Sequence, residues 1–202
     1  MSTRSQRLLL FLDAQNVYKG ARRAFCDDDD PHIYGNFDPM KIGALICSRA
    51  ATGTTSILTE VRVYTGRPDS TKQPQAYGPH MRQCATWQAA GATVIARALR
   101  YPYDWPKSAA EEKGIDVALA VDFVTLAIDG AYDIGVIFST DTDLKPALEY
   151  VDRKCPQACT VAAWTSPTSR ARLSLKDGSL WCYWLDRDDY DSVADLTDYR
   201  PR

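Results

Sequence analysis

The sequence predicts an α/β fold, in which helices cover both faces of a parallel sheet of about five or six strands. Short apolar runs rich in β-branched residues, typical of strands buried on both faces, alternate with segments whose apolar residues recur at helical spacing. The chain of 202 residues also contains no internal repeat or low-complexity linker. We therefore expect a single domain with a full core.

The first half of the chain predicts three strands and three helices. Arg7 to Leu12 is a buried first strand that ends at Asp13, and a helical pattern follows from Val17 to about Phe25. Asp38 is the expected cap of the second helix, with Pro39 at its first position. A strand, a helix and a further strand are then predicted at Ile57 to Tyr64, Gln75 to Ala90 and Thr93 to Leu99.

The second half is organised around the stretch from Tyr132 to Val151. Ile134 to Phe138 predicts a buried strand, an acidic turn follows it, and Asp143 is the expected cap of the next helix. A central helix precedes this unit and two strands follow it, at Gly114 to Asp129, Ala158 to Trp164 and Leu180 to Leu185. We expect residues 1–165 to form the main body and residues 166–202 to add a strand and an acidic tail to the same domain.

Composition limits the function classes. The formal charge of −2 gives no global sign of a nucleic-acid partner, so any basic surface must be local. No apolar run approaches the ~18 residues that span a membrane, and no signal peptide is indicated, so we expect a cytoplasmic protein without a membrane partner. Six scattered cysteines are then expected to be reduced, and two histidines are too few for a zinc site to be expected.

Acidic residues follow two of the predicted strands. Asp13 ends the first strand, and Asp141 and Asp143 follow the fourth, while Asp116 starts the central helix. In an open parallel sheet these positions lie near one crevice at the carboxyl ends of the strands. Carboxylates that meet there repel one another, and a hard divalent cation such as Mg²⁺ or Mn²⁺ relieves that repulsion. Such a site suits metal-assisted hydrolysis of a phosphodiester.

Three ordered segments resemble the signature segments of the NYN domain, a family of PIN-like nucleases, in its bacterial subgroup related to LabA and formerly named DUF88. They are FLDAQN (Phe11 to Asn16), KGIDVALAVD (Lys113 to Asp122) and YDIGVIFSTDTDL (Tyr132 to Leu144). The resemblance implies a Rossmann-like sheet, a magnesium-dependent site and RNA as the substrate. It assigns Asp13, Asp116, Asp141 and Asp143 to the acidic positions and Asn16 to the polar residue that orients the site. The acid that many PIN-like nucleases carry on an early helix has no counterpart here.

Each of these residues also has a purely structural interpretation. Asp13 could merely end its strand, and Asn16 and Asp116 could be helix N-caps. Asp122 lies about 240° around the helix from Asp116, so we expect it to have a structural role. Ser139 and Thr140 could bond the aspartates or a phosphate, or could only shape the turn.

A basic and aromatic segment before the central helix is the predicted nucleic-acid contact. Single strands are held by charges along the backbone and by bases stacked on aromatic rings. The predicted contact residues are Arg97, Arg100, Tyr101, Tyr103, Trp105, Lys107 and Lys113. The alternative is a loop whose aromatic side chains pack on the core.

The sequence thus favours a metal-dependent ribonuclease acting on RNA, single-stranded in the first instance. The alternative is a non-catalytic RNA-binding or regulatory module with the same fold. Phosphatase and TOPRIM-like sites fit less well, because the first would need a second aspartate after Asp13 and the second a glutamate in its place. A homodimer or a partner protein is compatible with the resemblance.

Overall fold

Within residues 5–50, 55–155, 158–175 and 180–200, which the computed structural model describes, six parallel strands form one sheet. The strands are β1 (Gln6–Asp13), β2 (Ser56–Arg67), β3 (Thr93–Ala98), β4 (Ile134–Phe138), β5 (Ala158–Trp164) and β6 (Trp181–Leu185). Their order across the sheet is β3-β2-β1-β4-β5-β6. The strand order reverses between β1 and β4, which is where open sheets of this kind bind ligands.

Helices cover both faces of this sheet, as the alternating sequence pattern predicts. They are α1 (Ala14–Phe25), α2 (Pro39–Ala50), α3 (Pro74–Ala89), α4 (Ile115–Ile128), α5 (Lys145–Lys154) and α6 (Arg187–Val193). One core cluster includes Val17 of α1 and Ile42 of α2, and the other includes Phe123 of α4 and Leu148 of α5. No described helix is both long and apolar enough to cross a bilayer.

Strand β1 lies in the centre of the sheet. Its residues Leu8 to Leu12 are almost completely buried, because β2 and β4 flank it and helices cover it on both faces. Leu12 is paired with Phe138 of β4, so the next residues, Asp13 and Ser139, meet where the two strands end. Apolar burial along β1 therefore fixes the place of Asp13.

Two predicted helix starts are wrong. Helix α1 begins at Ala14 rather than Val17, because the Asp13 side chain caps it directly after β1. Asp143 does not cap the helix after β4. Asp141 caps a single 3-10 turn, Thr142–Leu144, and α5 starts only at Lys145. The first error arises because an aspartate at a strand end can cap a helix without an intervening loop. The second arises because a 3-10 turn separates Asp141 from α5.

Two other predictions are confirmed, the cap of α2 and the sixth strand. Asp38 caps α2 by accepting hydrogen bonds from the backbone N–H groups of Met40 and Lys41, at 2.9 and 3.1 Å. The sixth strand exists and extends the sheet beyond β5. The tail packs on the domain through α6, whose Tyr190 and Val193 are buried, although Leu196 beyond it stays half exposed.

Asp122 has the structural role that its position on the helix predicts. Its Oδ2 atom accepts hydrogen bonds from the Tyr64 hydroxyl at 2.7 Å and from the Arg62 guanidinium at 2.9 Å. Burial, together with the bond to Asp122, raises the pKa of Tyr64. Asp122 therefore ties α4 to β2, whereas Asp116 lines the cavity described below.

We expect Asp122→Ala to lower the free energy of unfolding by about 1–3 kcal/mol, because it leaves the buried Tyr64 hydroxyl and the Arg62 guanidinium without this acceptor. Urea denaturation measures the loss. Asp152→Ala, at an exposed site on α5, is the matched control and should change stability by less than about 0.5 kcal/mol. Equal losses in the two variants would contradict the structural role of Asp122.

Candidate active site

Asp13 is the most deeply buried acid of the predicted set. Its side chain lies at the carboxyl end of β1, and the residue is 9% exposed. The Oδ1 atom accepts the backbone N–H of Asn16 at 3.1 Å, and Oδ2 accepts the Ser139 hydroxyl at 3.1 Å. Burial raises the pKa of Asp13, and the negative charges of Asp141 and Asp116 raise it further. The carboxylate is therefore fixed in position and electrostatically strained by its neighbours.

Asn16 and two hydroxyls join the ends of β1 and β4. The Asn16 side-chain oxygen accepts both the backbone N–H and the hydroxyl of Thr140, at 2.9 and 3.0 Å. The Ser139 hydroxyl, which donates to Asp13, also accepts the N–H of Asp141 at 3.1 Å. Asn16 is thus not an N-cap, and Ser139 and Thr140 contact the site residues as well as shaping the turn.

One cavity of about 480 Å³ opens over this strand edge. Asp13, Asp116 and Asp141 all line it, together with Asn16 and Thr140. Three of the four predicted carboxylates, drawn from three separate elements, therefore face the same space. Asp143 does not line it: this residue is exposed in the 3-10 turn, where its backbone N–H donates to Asp141 Oδ1 at 3.0 Å.

Asp116 reaches the cavity because α4 begins directly beside it. The N-cap of α4 is Gly114, whose φ of 72° lies in the left-handed region that glycine adopts without strain. Asp116 follows in the first turn and is not itself the cap. A carboxylate in the first turn is also favoured by the partial positive charge of the helix N-terminus. The turn at Gly114 therefore places the first turn of α4 beside the carboxyl ends of the strands.

Glu112 is a further cavity carboxylate that the sequence pattern did not single out. It lines the same space, and its Oε1 atom accepts the backbone N–H of Gly66 at 2.8 Å. Its side chain lies so close to Gly66 that a Cβ atom there would meet Glu112 Oε1 at 2.6 Å. Burial raises the pKa of Glu112, and the charge of Asp13 adds to the effect. The sequence signal that could have identified Glu112 is its position directly before the KGID segment.

The carboxylates that line the cavity are chemically suited to bind a divalent cation. Carboxylate oxygens are the ligands that Mg²⁺ and Mn²⁺ prefer, and the mutual repulsion felt by Asp13 is what a cation relieves. In the part of the chain that is described, however, no group of three or more His, Cys, Asp or Glu side chains is arranged to hold a metal ion.

The predicted nucleic-acid segment forms a closed loop beside the cavity. Arg100 and Glu111 pair through two backbone hydrogen bonds of 2.9 Å, which bring the ends of the loop together. The four predicted cations of this segment are exposed, and none lines the cavity: Arg97, Arg100, Lys107 and Lys113. The C-terminal end of the loop, Ala110 and Glu111, lines the cavity, whereas its predicted cations lie outside it.

The three aromatic residues of this loop differ in role. The Tyr101 hydroxyl donates to Gln73 at 2.8 Å and accepts the Asp69 N–H at 2.7 Å, and Trp105 packs edge-on against the Tyr101 ring. Lys72 covers the same ring, with its ammonium 4.5 Å from the centroid. Tyr103, in contrast, is fully exposed at the tip. Tyr101 and Trp105 thus stabilise the loop, and Tyr103 is free to contact a ligand.

Comparison with known proteins identifies a family over most of the chain. The NYN domain family matches residues 7–174. The chain is also similar to a solved structure, that of a protein of unknown function from Vibrio parahaemolyticus. The two share 21% sequence identity with a TM-score of 0.60, over 93% of this chain and 98% of the other. No curated protein matches the sequence.

We expect Asp13→Asn to stabilise the protein at pH 7 in EDTA and to raise Tm by a few degrees. A carboxyl with a raised folded pKa contributes most to stability below its unfolded pKa, about 4, and this contribution is lost as pH rises through the folded pKa. The neutral amide avoids that loss. The gain should therefore disappear as pH falls towards 4, and thermal melts at several pH values measure it. A variant less stable than wild type at pH 7 would contradict the electrostatic strain at Asp13.

Proposed function

The chain belongs to the NYN domain family, and from this premise we propose that it is a metal-dependent ribonuclease that hydrolyses single-stranded RNA. NYN domains are PIN-like and are generally ribonucleases. The observation that carries the proposal is the buried carboxylate of Asp13, which shares one cavity with Asp116 and Asp141. Within the family, the three signature segments lead us to place the chain in the subgroup related to LabA.

In this proposal the residues divide into ligands and positioning groups. Asp13, Asp116 and Asp141 would hold Mg²⁺ or Mn²⁺, which when bound activates water and stabilises charge on the leaving oxygen. Asn16 keeps the ends of β1 and β4 in register through its two bonds to Thr140. Asp143, which is exposed and does not line the cavity, would position water instead of binding the metal.

Glu112 is our candidate for proton transfer. One of its oxygens is held by the Gly66 N–H, and the other makes no hydrogen bond within the described residues. Its raised pKa brings it closer to the range in which a carboxylate accepts a proton from water. The nucleic-acid strand is guided to this point, in our proposal, by the cations of the neighbouring loop and by stacking on Tyr103.

A second candidate function is a non-catalytic RNA-binding or regulatory module. It is favoured by the arrangement of the described carboxylates, since no three of them are placed to hold a metal ion. The two functions share the fold and the RNA ligand, and they differ in whether the strand is cut.

We expect wild-type protein to cleave labelled single-stranded RNA in Mg²⁺ or Mn²⁺ and not in EDTA. Asp141→Asn should reduce the rate by about 100-fold or more, because it removes one anionic oxygen from the site. Asp152→Asn, which makes the same chemical change at an exposed position on α5, should cleave like wild type. Metal-dependent cleavage that survives Asp141→Asn would contradict the site. RNA binding without cleavage in all three proteins would favour the second function.

We expect Tyr103→Ala to weaken the binding of single-stranded RNA by about 1–3 kcal/mol, the usual contribution of one base stacked on an aromatic ring. Its exposure means that folding stability should not change. Fluorescence anisotropy in EDTA measures the affinity, and Tyr103→Phe, which keeps the ring, is the control. If the two variants bind RNA equally, the ring does not stack on a base.

A further inference from the structure

Two exposed cations on α1 border the carboxylate cavity. Lys19 and Arg23 both line it, and they follow Gln15 at intervals of four residues, so the three side chains share one face of the helix. The opposite face, with Val17 and Ala21, is buried against the sheet. Lys19 and Arg23 therefore lie about 6 Å apart along α1, at the edge of the acidic cavity.

These two cations do not hold the fold together, although the charge of Lys19 partly opposes the raised pKa of Glu112 in the same cavity. Among the described residues, neither Lys19 nor Arg23 forms an ion pair or a side-chain hydrogen bond. The neighbouring Arg22 is different, because its guanidinium donates to the carbonyl groups of Pro31 and Tyr34 at 2.9 and 3.0 Å. Arg22 is thus a structural residue, while Lys19 and Arg23 stay available to a ligand.

A second and larger cavity adjoins the first. Its volume is about 700 Å³, and it lies beyond the carboxyl ends of β5 and β6, between Thr165–Thr168 and Asp186–Asp188. Arg23 lines both cavities. The two spaces therefore follow each other along one edge of the sheet, with the Arg23 side chain at their boundary.

The charges of the two cavities suggest how a strand would lie. Phosphates are repelled by the carboxylates of the first cavity, and of the described residues that line it the cationic ones are Lys19 and Arg23. The second cavity combines the ring of Phe25 with the hydroxyls of Ser166 and Thr168 and with acidic side chains. Its cation Arg187 is already paired with Asp191 and hydrogen-bonded to the Phe25 carbonyl. Those groups suit a base and a ribose, whose amino and hydroxyl groups donate hydrogen bonds, better than they suit a phosphate.

We propose that Lys19 and Arg23 bind neighbouring phosphates of a single RNA strand, and that the strand runs from the carboxylate cavity across Arg23 into the second cavity, where a nucleoside is seated. The proposal rests on the proposed function in taking RNA as the ligand. It assigns substrate positioning to α1, in addition to the 100–111 loop.

The test is the salt dependence of RNA binding by the full chain. A fluorescein-labelled RNA of about ten nucleotides is titrated in EDTA, which prevents metal-dependent cleavage. The double variant Lys19→Ala/Arg23→Ala should bind about 10-fold more weakly or worse at low salt. Its slope of log K against log salt should be smaller by about 1.4, since each phosphate contact on a single strand contributes about 0.7.

The matched control removes the same charge near the amino ends of the strands. Arg153→Ala/Lys154→Ala changes two exposed residues at the end of α5, before β5 begins, and should leave the slope unchanged. An equal loss in both double variants would mean that only overall charge matters, and it would overturn the proposal. Binding like wild type by the α1 variant, or no RNA binding by wild type, would overturn it as well.

The path into the second cavity is tested at Thr168, which is exposed there. Thr168→Lys should tighten binding of the same RNA and Thr168→Glu should weaken it, because the strand's phosphates pass the cavity mouth. If neither variant changes the affinity, the strand does not enter this cavity and that part of the proposal is wrong.

Cleavage measured separately keeps this inference distinct from the proposed function. With Mg²⁺ or Mn²⁺ present, wild type that binds RNA through α1 but cuts nothing would refute the ribonuclease and leave the strand path supported. Hydrolysis of bis(p-nitrophenyl) phosphate, which is too small to reach from the carboxylates to the second cavity, reports the carboxylate site alone. It should be reduced by Asp141→Asn and retained in the Arg153→Ala/Lys154→Ala control, which lies outside both cavities.

Discussion

The site depends on a carboxylate that the fold holds in a place unfavourable to its charge. Asp13 directly follows five almost completely buried residues of β1, and the hydrophobic burial of that strand leaves the side chain little freedom to move towards solvent. The two hydrogen bonds from Asn16 and Ser139 partly compensate for its desolvation. Burial of the apolar core thus offsets the unfavourable burial of the Asp13 charge. Groups with a shifted pKa are typical of functional sites.

The same carboxylate links local and long-range structure. One oxygen caps α1, which fixes the first helix turn, and the other accepts the hydroxyl of Ser139, which comes 126 residues later in the chain. Asn16 then binds Thr140 and completes the connection between the two strand ends. A capping role and a role in the site are therefore not alternatives at Asp13. The geometry that ends the strand also leaves the carboxylate at the wall of the cavity.

Two potential contacts for a strand border the carboxylate cavity. The 100–111 loop is held by the Tyr101–Trp105 packing and by its closing hydrogen bonds, and Tyr103 within it is fully exposed. Helix α1 presents Lys19 to the same cavity and Arg23 to the boundary between the two cavities. A helix and a hydrogen-bonded loop thus both border the acidic cavity. This arrangement explains how a chain of net charge −2 can have local basic surface.

The sequence by itself determined the parallel α/β sheet, the positions of its strands, and three acids of the cavity, because buried strands and strand-end aspartates leave local patterns. It also separated Asp122 from Asp116, since helix geometry alone puts them on different faces. Only the tertiary structure decided that Glu112 joins the cavity, that Asp143 stays outside, and that Lys19 and Arg23 line the cavity, with Arg23 also lining a second one. Those outcomes depend on how a loop folds against Gly66, on a 3-10 turn in place of a direct helix start, and on the packing of α1 beside β5. Contacts of that kind leave no periodic signal in the residues that make them.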